Sequence, residues 1–89
     1  MAHEELTLKL KTQIIEYLNL LEFKPEDIVT DAPLFGPESK IDLDSIDGIE
    51  LSVLLEREYD IKITDSKKAK KVMFSVATMV AYIAEQGKG

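Results

Sequence analysis

The chain has 89 residues, 45% of them hydrophobic and 31% charged, with a formal net charge of −6 and no cysteine. That length supports one small domain with a single core, residues 1–89, and the lack of cysteine excludes a disulfide framework and any thiolate metal site. No apolar run approaches the roughly 18–20 residues of a membrane span, and Met1-Ala2-His3-Glu4-Glu5 lacks the basic and apolar regions of a signal peptide, so the expectation is a cytoplasmic protein.

Residues 4–21 predict a helix. Leu6, Leu10, Ile14, Leu18 and Leu21 recur at steps of three and four and form one apolar stripe, which Pro25 stops. Residues 22–43 hold Pro25, Pro33, Gly36 and Pro37 with no sustained period. They predict a long loop, a feature that is uncommon in compact domains and often functional, with Leu34 and Phe35 pinning it to the core.

A second helix is predicted over residues 45–59. Asp44 stands at the N-cap position, with Asp47 as a weak capping-box partner, and both acids suit the positive end of the helix dipole. Residues 65–72 predict a short third helix capped by Thr64 or Asp65. Residues 75–86 predict the last, with Ser75 at its start, Val76, Met79, Val80 and Ile83 at helical spacing, and Gly87 at its end. The run Tyr59 to Ile63 has strand-like composition but no partner. The fold class expected is all-α: a small four-helix bundle with a long first loop and a short third helix.

The second helix carries two apolar stripes. At about 100° per residue, Gly48, Leu51, Leu55 and Tyr59 share one side, Ile46, Ile49 and Val53 lie nearly opposite, and Leu54 falls between. Either the helix is buried on two sides, or the second stripe, flanked by Glu50, Glu56 and Arg57, is a docking strip with a charged rim.

Charge is unevenly spread. Residues 26–60 hold eleven acids against Lys40 and Arg57, a net −9, whereas residues 61–71 hold five lysines against Asp65, a net +4. An acidic middle repels nucleic acid and anionic membrane and attracts basic protein surfaces; a solvated surface of uneven charge is the plainer reading. Catalysis finds no support. His3 is the single histidine, and there is no G-x-S-x-G elbow and no phosphate-cradling glycine loop. The acidic run Asp42 to Gly48 fits no calcium loop: with Gly48 at the sixth position, Leu43 and Leu54 fall where the first and last ligands belong.

Leu43-Asp44-Ser45-Ile46-Asp47 remains, at a loop-to-helix junction. Asp44 and Ser45 serve there as a helix cap, or Ser45 serves as a modification point, since a helix N-terminus stabilises an attached anion. Asp44-Ser45-Ile46-Asp47, followed by Ile49-Glu50-Leu51 and Leu55-Glu56-Arg57-Glu58-Tyr59, resembles the Asp-Ser-Leu signature of acyl carrier proteins at the start of their second of four helices. Pro33-Leu34-Phe35-Gly36 is similar to that family's loop, and Phe74 to Ile83 to its closing helix, so the resemblance spans nearly the whole chain in order. Three features depart from the pattern: Asp42 stands where the family commonly has glycine, Ile46 replaces leucine, and Lys67-Lys68-Ala69-Lys70-Lys71 replaces a usually acidic stretch.

The resemblance implies a non-enzymatic carrier that holds acyl intermediates as thioesters on a 4'-phosphopantetheine arm attached to Ser45. The arm is donated from coenzyme A by a phosphopantetheinyl transferase. The implied partners are ketosynthases, acyltransferases or other acyl-processing enzymes of fatty acid, lipid or polyketide-type synthesis, docking a monomer through Asp44, Ile46, Asp47, Ile49, Glu50, Val53 and Glu56. The lysine stretch makes a specialised pathway an alternative to central fatty acid synthesis. Gly48 on the core side implies close approach of another helix. The rival readings are an unmodified helical interaction module and an aminoacyl or peptidyl carrier.

Overall fold

The computed structural model describes residues 3–35 and 43–87. The expectations placed on Gly36, Pro37 and Asp42 lie outside those residues. Among the described residues four α-helices follow one another: α1 (Glu4–Leu18), α2 (Ser45–Tyr59), α3 (Ser66–Val72) and α4 (Val76–Glu85), with one 3-10 turn at Pro25–Asp27. The described residues contain no strand, only an isolated parallel bridge between Phe35 and Leu43. The fold is an all-α four-helix bundle.

Its core joins Leu6, Leu10 and Ile14 of α1, Leu51, Leu54, Leu55 and Tyr59 of α2, and Val76, Met79, Val80 and Ile83 of α4. Ile28 and Leu34 of the long connection are buried with them, and Phe35 packs against the cluster. Each fully buried aliphatic side chain of this kind stabilises the fold by about 1.5–3 kcal/mol. Helix α1 packs on α2 and α4, and α3 packs on α4.

The first helix is shorter than its apolar stripe. It ends at Leu18 because Asn19 takes the left-handed conformation at φ 55°. The Asn19 N–H donates to the Glu16 carbonyl, and the Leu20 N–H to the Ile15 carbonyl at 2.9 Å, a pattern that satisfies the last carbonyls and stops the helix. Leu21 therefore leaves the stripe and is 79% exposed. Helix α2 ends similarly at Asp60, φ 54°.

The other boundaries follow their caps. Asp65 accepts from the Lys67 N–H at the start of α3. Ser75 accepts from the Thr78 N–H at the start of α4, completing a capping box. Two backbone bonds tie the connection to the α3–α4 corner: the Leu34 N–H donates to the Phe74 carbonyl at 2.8 Å, and the Ala77 N–H to the Thr30 carbonyl at 2.9 Å. Between α1 and α2, the Tyr59 hydroxyl donates to Gln13 Oε1, Gln13 Nε2 to Glu58 Oε1, and the Tyr17 hydroxyl to Glu58 Oε2.

Candidate functional site

The loop-to-helix junction at residues 43–47 is built by a reciprocal cap. The Ile46 and Asp47 N–H groups donate to Asp44 Oδ1 at 3.0 and 3.1 Å, and the Asp44 N–H donates to Asp47 Oδ2 at 3.0 Å. This satisfies backbone donors that a helix start leaves without intrahelical partners. Ser45 is the first residue of α2. The chain reaches it through Leu43, which is buried and whose N–H donates to the Leu34 carbonyl at 3.0 Å.

Helix α2 presents three sides rather than two. Leu51, Leu54, Leu55 and Tyr59 enter the core. Ile46, 68% exposed, lies outward with Glu50, and Val53 beside them is half-buried. The third side carries Gly48, Ile49 and Ser52, which line a cavity of about 610 Å³. That size falls within the usual range for small-molecule sites, roughly 300–1,000 Å³. The other walls are Pro33, Phe35 and Leu43 from the connection, and Ser66, Ala69, Lys70, Met73 and Phe74 from α3 and its C-terminal turn. Asp44 also lines it. The lining is mainly apolar, and Ile49 and Phe74 on it are 64% and 51% exposed.

Gly48 corrects one expectation. What stands near it is the Phe35 ring from the connection, not another helix, and the residue borders the cavity instead of the central core. Ile49 likewise belongs to the cavity wall as well as to the outer strip. Register links Ser45 to the same side: positions 45, 48, 49 and 52 follow at three, four and seven residues, the spacing of one helical face.

The residues expected to dock partners separate into groups. Asp44, Ile46, Ile49, Glu50 and Glu56 are exposed; Asp47 and Val53 are half-buried. The carboxylates of Asp44 and Asp47 are both engaged in the cap. Cavity residues Ser66, Ala69, Met73 and Phe74 had no signal in the sequence, because they meet α2 only through the fold. His3 lines a separate hollow with Thr7, Lys11, Pro25 and Thr30. Among the described residues, no group of three His, Cys, Asp or Glu side chains is placed to hold a metal ion, and no helix is long and apolar enough to cross a membrane.

No family model matches the chain, and no curated protein matches it either.

On the α1–α2 seam the tyrosines are shifted. Accepting the Tyr17 hydroxyl bond, Glu58 raises the Tyr17 pKa above its ordinary 10.0, with lesser help from desolvation. Burial raises that of Tyr59, and the Glu58 charge adds to it. These groups link α1 to α2 and are not among the residues that line the cavity.

Proposed function

We propose that the chain is an acyl carrier protein whose Ser45 receives a 4'-phosphopantetheine arm. The observation that carries this reading is the register of α2: position 45 opens the helical face that continues through Gly48, Ile49 and Ser52 into the apolar cavity. Position 45 thus shares its helical register with residues that border a chain-sized hollow. The residues fit such a group. The helix start favours the negative charge of a phosphodiester, and Phe35, Ile49, Met73 and Phe74 offer apolar walls to a hydrocarbon.

When attached, the arm supplies a thiol on which acyl groups are held as thioesters. The protein's own residues do the rest. Asp44 and Asp47 fix the helix start, the cavity shelters apolar cargo from water, and exposed Ile46 and Ile49 with Glu50 and Glu56 form an acidic-rimmed strip for enzymes with basic docking surfaces. An apolar cavity of this volume favours a fatty acyl cargo over an aminoacyl or peptidyl one. The partners are a phosphopantetheinyl transferase and acyl-processing enzymes of the cytoplasm, acting on a monomer.

The test is direct. The protein is incubated with coenzyme A, Mg²⁺ and a broad-specificity phosphopantetheinyl transferase, and its intact mass is measured beside Ser45→Ala. The expected result is a single phosphopantetheine mass gain in the wild type and none in the variant. A gain that persists in Ser45→Ala moves the site elsewhere; no gain in either protein leaves an unmodified helical interaction module as the reading.

A further inference from the structure

The cavity wall is apolar except at a few places, and those are not equivalent. Ser52 directs its hydroxyl to the Gly48 carbonyl at 3.2 Å and lies 4.0 Å from Met73 Sδ. Among the described residues, the single carboxylate on the lining, Asp44, accepts from the Ile46 and Asp47 N–H groups. Among the described residues, the single cation on the lining is Lys70. Its neighbour Lys68 is committed elsewhere, with Nζ 5.0 Å from the centre of the Tyr82 ring. Lys70 is exposed and lines the cavity, and an exposed lysine beside apolar surface can lay its methylene stem there while its ammonium keeps to water. Lys67, one turn earlier on α3, adds positive potential on the same helix.

A purely hydrocarbon guest gains nothing from an ammonium at the mouth. A guest with an apolar chain and an anionic end gains at both places, because an ion pair beside apolar walls is screened less than one on open surface. We infer that the cavity selects a linear apolar chain carrying a negative charge at one end, with Lys70 as the residue that sets this preference. The charged end belongs either to a free alkanoate-type amphiphile or to a carboxylate-terminated acyl chain attached at Ser45. The second source rests on the carrier reading, and the first does not.

The shared chemistry is tested on Ser45→Ala protein, where no arm at that residue can intervene. Dodecanoate, dodecanol and dodecyltrimethylammonium are titrated below their micelle thresholds and followed by backbone amide shifts of Gly48, Ser52, Ala69 and Met73. Dodecanoate should bind about fivefold more tightly than dodecanol, equivalent to about 1 kcal/mol, with the cationic amphiphile weakest. Lys70→Met should equalise dodecanoate and dodecanol while leaving dodecanol unchanged, and Lys70→Glu should reverse the order. Lys70 is an exposed helical position, and circular dichroism of both variants checks the fold. Equal binding of the three amphiphiles, a preference that survives both substitutions, or shifts confined to other residues would overturn the inference. The source is then read from the Lys70 side-chain ammonium resonance. A shift on wild-type protein loaded with a carboxylate-terminated chain, and none with a methyl-terminated chain, assigns tethered cargo. A shift with free dodecanoate alone assigns a free amphiphile. Failure of Ser45 to accept the arm removes only the carrier reading.

Discussion

The Phe35 ring lies over Gly48, with Cε2 and Cζ each 3.7 Å from where a β-carbon at that position would stand. That is ordinary van der Waals distance, so a methyl group fits without displacing the ring. Glycine inside a helix costs roughly 1 kcal/mol relative to alanine. Gly48→Ala is therefore expected to raise stability by about 0.5–1 kcal/mol, seen as a thermal midpoint several degrees higher. A lowered midpoint would show that the ring cannot accept the methyl. Gly48→Leu should instead fill the cavity and weaken dodecanoate binding.

Asp44 caps α2 by accepting from two N–H groups. Asp44→Ala should lower stability by about 0.5–2 kcal/mol, whereas Asp44→Asn keeps an acceptor and should lose much less. Urea unfolding checks this: the midpoint should fall with the slope unchanged. Equal losses in the two variants would assign the effect to charge and not to the cap.

Ile46 is exposed and Leu51 is fully buried on the same helix. Ile46→Ala should change stability by less than about 0.5 kcal/mol, and Leu51→Ala should cost about 2–5 kcal/mol. If the outer strip receives the transferase, Ile46→Ala slows arm transfer at any ionic strength and Glu50→Lys slows it most at low salt. Stopped-flow or timed mass measurements at two salt concentrations decide it. Unchanged kinetics in both variants would move docking off α2.

Tyr59 has its pKa raised by burial. A folded-state pKa above the unfolded value leaves stability intact below pH 10 and removes it as pH rises through the folded value. Tyr59→Phe loses the hydroxyl's bond to Gln13 and should be about 1 kcal/mol less stable at neutral pH. The gap between wild type and variant should narrow above pH 10, measured by urea unfolding across pH 7–11. A constant gap would mean that Tyr59 does not ionise in the unfolding reaction.

Much of the fold is legible in the sequence because its signals are local. Asp44 with Asp47, Asp65, and Ser75 each mark a helix start by their own chemistry, and the structure places the caps there. The end of α1 was masked by an accident of spacing. Leu21 continues the stripe numerically, while Asn19, a residue that tolerates the left-handed conformation, ends the helix before it. The second stripe of α2 was visible as an excess of apolar residues, yet its partition was not. Whether Ile49 faces solvent or a hollow depends on Phe35, Met73 and Phe74, which reach it from distant parts of the chain. Ser45 was legible as a position, and the cavity beside it was not.

The backbone bonds of the connection divide the cavity walls by how firmly they are held. Leu34 donates to the Phe74 carbonyl and accepts from the Leu43 N–H, so the segment bearing Phe35, the entry to α2 and the end of the α3 turn are fastened at one residue. The remaining wall is α3, seven residues long, with Val72 as its one buried side chain. A helix that short has little stability of its own, and segments with few buried contacts open at the lowest free energy. The cavity is therefore bounded unevenly: firmly along the connection and the entry to α2, and less firmly along α3, which reaches the central core through Val72 and, partly buried, Ala69.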